Sequence, residues 1–108
     1  MRERDLGALT VADFEGLVSG KFRVTLPSGG ATEFELIEAT AEKPRSRPSE
    51  SKLRTEPFSL IFRGPFETPL PQRIYRIENE AFGAVEIFLV PLGSQGDPLG
   101  THYQAIFN

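Results

Sequence analysis

The sequence predicts a mainly β (α+β) domain: about six antiparallel strands in a strongly curled sheet or partly open barrel, with one short N-terminal helix. Three observations carry this. Apolar residues recur with period two in several short runs separated by Gly, Pro and Asn. Only one stretch, near the start, has helical spacing. Several runs are apolar on both faces, so a flat sheet would leave one of them bare.

The helix is expected over residues 10–18. Thr10 followed by Asp13 resembles a capping box with aspartate at its third position, and Val11, Phe14 and Leu17 or Val18 fall on one side of the "TVADFEGLV" stretch. At about two turns it depends on packing, because short helices are marginal by propensity alone. In "KFRVTL", Phe22, Val24 and Leu26 share one face, and Lys21, Arg23 and Thr25 the other. "PSGG" then turns the chain. "ATEFELIEATAE" puts Phe34 and Leu36 opposite Glu33 and Glu35 and loses phase at Ile37 and Glu38, which predicts a bulge. Four further strands follow in "FSLIFRG", "RIYRIEN", "AVEIFLVPL" and "THYQAIFN"; the short gap between the second and third of these predicts a hairpin.

A chain of 108 residues fits one domain, 1–108. Its 39% hydrophobic content supports a core without staples, which agrees with the absence of cysteine. The expected core is Phe14, Leu17, Phe22, Val24, Leu26, Phe34, Leu36, Phe58, Leu60, Phe62, Tyr75, Ile77, Val85, Ile87, Leu89, Tyr103 and Phe107. No secretory pattern and no long apolar run is present, so a cytoplasmic protein without a membrane segment is expected. With 12 Lys and Arg against 15 Asp and Glu, the chain does not have the charge of a nucleic-acid binder. Segment 43–56 reads as a mobile basic loop carrying Lys43, Arg45, Arg47, Lys52 and Arg54. It contains no aromatic side chain on which a base could stack.

Catalytic signatures are few. His102 is the only histidine, so no histidine cluster for a metal exists, and no cofactor is expected. Ser94, Asp97 and His102 in "GSQGDPLGTHY" supply the residue types of a triad, but in a stretch whose composition is that of an ordinary turn and without a G-x-S-x-G elbow. Glu33 and Glu35, about 7 Å apart on one strand face, have a carboxylate spacing seen in glycosidases and equally on any solvated strand.

The pattern "PFSLIFRGP … PLPQRIYRIENEAFGAVEIFLVPLG … YQAIFN", with "LTVADFEGLVSGKFRV" ahead of it, resembles a family of small bacterial proteins known as a domain of unknown function. The resemblance spans nearly the whole chain, with residues 43–54 its least typical part. It implies an accessory or assembly role beside phage tail-collar-like proteins, and it brings no catalytic residues with it.

The expected function is therefore non-enzymatic: a small protein-interaction or assembly-accessory module, either monomeric or a weak homodimer. The contact is expected through the sheet face or edge formed by "FSLIF" and "AVEIFLV" together with loop 64–72, with Phe66, Leu70, Ile61 and Phe88 as candidate residues. The second apolar face has three candidate covers: the helix, the proline-rich loop, or another protein. Two alternatives stand beside this reading, a carrier holding an apolar guest at the barrel mouth and an unrecognised hydrolase.

Overall fold

A computed structural model describes residues 2–42 and 57–107, so the basic loop, with Lys43, Arg45, Arg47, Lys52 and Arg54, lies outside the described residues. The strands are β1 (Lys21–Thr25), β2 (Ala31–Ala41), β3 (Phe58–Gly64), β4 (Arg73–Asn79), β5 (Gly83–Gly93) and β6 (Thr101–Phe107). All neighbours run antiparallel, and the order β1-β2-β3-β6-β5-β4 closes into a barrel. Two three-stranded meanders, β1-β2-β3 and β4-β5-β6, are thus sealed along β3–β6 and β1–β4. The predicted bulge lies at Ile37, where the β2–β3 register shifts between Leu36 and Glu38. The predicted hairpin is β4–β5, in register from Arg73↔Leu89 to Asn79↔Gly83.

The period-two pattern fills the barrel. Phe22, Phe34, Phe58, Phe62, Ile77, Leu89 and Tyr103 are fully buried, and Phe22 meets Phe62 edge-on at 5.5 Å between ring centroids. Leu17 and Leu26, expected in the core, are only partly buried against it, whereas Leu9, Val11, Leu70, Phe82 and Ala105 join it.

The helix is shorter than its spacing predicts. A 3-10 turn, Leu6–Ala8, precedes α1 (Ala12–Glu15), and the chain turns from Gly16 to Ser19. Gly16 interrupts the helical stretch, and glycine is about 1 kcal/mol poorer than alanine inside a helix. Asp13 performs the capping predicted for it, accepting from the Thr10 N–H at 2.8 Å. Phe14 enters the lower barrel end, where its ring lies 4.9 Å from that of Phe82, 5.8 Å from Phe58 and 5.9 Å from Phe107.

At the upper end the β3–β4 connection, 65–72, crosses from one meander to the other. Leu70 donates its N–H to the Tyr103 hydroxyl at 2.9 Å, and the Tyr75 hydroxyl donates to the Pro71 carbonyl at 2.6 Å. Gly64 lets this end pack, since a Cβ there would overlap the Phe34 ring, which stacks on Tyr103 at 4.7 Å. The helix and the proline-rich loop therefore stopper the two ends of the barrel and do not cover its outer face. No helix among the described residues is long and apolar enough to cross a membrane.

Candidate functional site

Alternation along each strand sends every second side chain outward. On β3, β6, β5 and β4 several of these are apolar: Ile61, Ile106, Phe88, Val90 and Ile74. Ile74 is 60% exposed, Phe88 48% and Ile106 59%. Ile74 and Phe88 are direct cross-strand partners, and Val90 and Ile61 both flank Gln104 of β6, two residues from Ile106. The result is an apolar strip on the outer face of four strands, interrupted on β6 by Gln104 between Ile61 and Val90. Ile61 and Phe88 are the candidates that the sequence placed here. Ile74 and Ile106 were missed, although each is an aliphatic residue out of phase with its strand's inward set, the signal that singled out the other two.

Two expectations need correction. The segments "FSLIF" and "AVEIFLV" are β3 and β5, with β6 between them, and closure leaves neither at a sheet edge. Leu70 is not a surface residue: it is 7% exposed and held at the upper barrel end, because its connection crosses the opening. Phe66, in the same loop, is 47% exposed.

Ion networks border the strip on both sides. Towards the lower end, Arg76 pairs with Glu3 and Glu78, and the Glu3 contact is the main cause that raises the Arg76 pKa. Towards the upper end, Arg63 pairs with Glu35 at 2.9 Å and with Asp97 at 3.0 Å, while Lys21 reaches the same Glu35 oxygen at 3.2 Å. His102 Nε2 lies 2.8 Å from Asp97 Oδ2, and the Leu99 N–H donates to Asp97 Oδ1 at 2.8 Å. The His102 bond, then the Leu99 N–H and Arg63, hold the Asp97 carboxyl well below the usual carboxylate range. Lys21 first, and Arg63 after it, lower the Glu35 pKa.

The triad residue types are thus only partly brought together. Asp97 and His102 pair, but Ser94 contributes its carbonyl, which accepts the Asp97 N–H at 2.8 Å, and it forms no bond with His102 among the described residues. Glu35 is engaged by two cations, while Glu33 shares with it the lining of a shallow cavity of about 280 Å³ beside Arg63, Pro65 and Leu99. Among the described residues, no group of three His, Cys, Asp or Glu side chains is placed to hold a metal ion. The chemistry of this surface is apolar contact framed by fixed charge.

No curated protein matches the chain, and neither does any solved structure. The profile of the Domain of unknown function (DUF6916) matches residues 9–107, a span that takes in α1, all six strands and the whole apolar strip, and the chain belongs to that family.

Proposed function

We propose that the protein is a non-enzymatic interaction or assembly-accessory module that docks a partner protein on the outer face of β3, β6, β5 and β4. The observation that carries this is the exposed Ile74–Phe88 pair, continued by Ile106 on the same face. Full burial of such a side chain stabilises by about 1.5–3 kcal/mol, so covering residues already half-buried contributes roughly 1 kcal/mol each. That suits a reversible contact with an aromatic anchor at its centre. The bordering ion pairs would fix orientation more than affinity. The family resemblance adds a context, a bacterial accessory to phage-tail-like assembly, and a cysteine-free sequence fits work in the cytoplasm.

The carrier alternative has less support, because aromatic side chains fill the interior and Phe14 and Leu70 stopper the two ends. Native mass spectrometry of freshly purified protein tests it through any retained small molecule. The hydrolase alternative rests on Ser94, Asp97 and His102, and a screened activity abolished by Ser94→Ala would revive it.

Crosslinking pull-down from the native host, comparing wild type with Phe88→Ser, Ile74→Ser and Phe66→Ser after each is confirmed folded, tests the main reading. Loss of partners from Phe88→Ser and Ile74→Ser supports the outer face. Equal recovery from both removes it, and loss from Phe66→Ser alone moves the contact to the loop.

A further inference from the structure

Charge is distributed unevenly around the apolar strip on β3, β6, β5 and β4. Both arginines that border it are already engaged twice, Arg63 by Glu35 and Asp97 and Arg76 by Glu3 and Glu78. Lys21, the next cation outward, is held by Glu35. Two carboxylates have no such partner. Glu38 is the cross-strand neighbour of Ile61, and Glu86 stands two residues before Phe88 on β5, so each shares the outer face with its apolar neighbour. Both are exposed, and neither has an ion-pair partner among the described residues. Arg76 is the direct cross-strand partner of Glu86 but turns to Glu3 and Glu78. Arg73, beside Ile74, is also exposed, yet it falls in phase with the inward Tyr75 and Ile77, and its charge acts on Tyr75.

The position of the two carboxylates constrains what can cover the strip. In water each is stable alone. A partner seated on Ile61 and Phe88 takes water from Glu38 and Glu86 beside them, and a carboxylate covered without a counter-ion is costly. The partner must therefore bring cations to the same places where it brings apolar surface.

We infer that the partner of this face is a protein presenting a basic apolar segment, with a large apolar side chain over Ile74 and Phe88 and Lys or Arg reaching Glu38 and Glu86. The inference rests on the outer-face reading proposed above and adds the chemistry of the partner to it. A second copy of this chain fits poorly, because its own outer face brings the same two carboxylates and no free cation to meet them. Nucleic acid is repelled by the same charges. Glu38 and Glu86 lie on β2 and β5, three strand spacings apart in the order β2-β3-β6-β5, which is roughly 14 Å across the strands.

The test titrates the isotope-labelled full chain with three peptides capped at both ends, KKFGIKK, EEFGIEE and KKSGSKK. Seven extended residues span about 23 Å, enough to reach both carboxylates. KKFGIKK is expected to shift the Ile74, Phe88 and Ile106 amides saturably and to bind at least about fivefold more tightly than EEFGIEE, the sum of two modest exposed pairs. KKSGSKK, without an apolar anchor, should give no saturable shift there. The double variant Glu38→Gln, Glu86→Gln removes two exposed charges without touching the core, and it should bind KKFGIKK about fivefold more weakly than wild type does. A second measurement needs no variant: raising salt from about 0.05 to 0.5 M should weaken KKFGIKK binding to the wild-type chain. Equal binding of EEFGIEE or KKSGSKK at these amides, or unchanged binding by the double variant, would overturn the inference and leave the outer-face reading standing. Concentration-dependent shifts of the same amides in the free chain would also overturn it, the occupant then being a second copy. No shift at Ile74, Phe88 or Ile106 with any peptide would overturn the outer-face reading and the inference with it.

Discussion

Phe14→Ala tests whether the N-terminal segment closes the lower barrel end or merely rests on it. Phe14 is fully buried and is the one buried residue of α1. Its ring is held among Phe58, Phe82 and Phe107, two of which, Phe58 and Phe107, stack on each other at 4.3 Å from paired strands. Neighbours fixed in this way cannot collapse into the space left behind, so the cost belongs high in the range of about 3–5 kcal/mol found for buried Phe→Ala. The N-cap Val11 makes no side-chain bond, so beyond the Asp13 bonds with Thr10 and Arg4 little would hold the four residues of α1 once the ring is gone. A loss of about 4 kcal/mol is a large part of the 5–15 kcal/mol that stabilises a domain. At roughly 4–6 °C per kcal/mol for this size, it lowers the melting temperature by about 15–25 °C. Urea unfolding followed by circular dichroism measures it directly, with an unchanged m-value showing that the same surface is still buried. A loss below about 1 kcal/mol, small for any buried aromatic, would refute the closure argument.

Three further substitutions probe other parts of the molecule. Gly64→Ala drives a methyl group into the Phe34 ring, which its stacking on Tyr103 prevents from yielding, so calorimetry should show a loss of about 1–3 kcal/mol; a neutral result would mean that this end is loosely packed. Tyr103→Phe leaves the Leu70 N–H without its acceptor, costing about 1–3 kcal/mol and speeding hydrogen exchange at Leu70; unchanged exchange would argue against that bond. Asp97 has a folded pKa depressed by His102, Leu99 and Arg63, so its contribution is present above the unfolded value of about 4 and is lost as pH falls towards the folded one. The difference in urea midpoint between wild type and Asp97→Asn should accordingly be largest near neutrality and shrink below about pH 4; a difference independent of pH would sink this account.

Period-two alternation was enough to read the strands, the bulge at Ile37 and the inward aromatic set, because strand burial is decided by the nearest neighbours along the chain. What closes the barrel ends was less legible. Phe82 stands in "EAFG", whose composition is that of a turn, yet the turn lies across an open barrel end and the side chain has nowhere to go but inward. Leu70 escaped for the same reason from the other side: proline-rich composition says surface, and only the crossing between meanders says otherwise. The ion network around Arg63 joins Glu35 of β2, Asp97 of the last connection and His102 of β6, which meet only because β3 pairs with both β2 and β6. No local pattern encodes such a meeting. The apolar strip was half visible, since out-of-phase residues can be picked strand by strand, while which of them become neighbours depends on strand order.

The arrangement as two sealed meanders has a consequence for how the chain reaches its native state. Within each meander every strand pairs with its neighbour in sequence, but the seams join Arg23 to Glu78 and Phe58 to Phe107, contacts whose loop-closure entropy must be met before they contribute anything. The halves should therefore assemble first and the seams last, giving refolding on the scale of milliseconds to seconds; completion much faster than about a millisecond would contradict this order. During synthesis from the N-terminus, β1-β2-β3 emerges with the outer edges of both β1 and β3 bare until the second half is made. Over that interval the nascent chain exposes a sheet template that the finished barrel does not, and crowding of many such chains is when mispairing between copies is most costly.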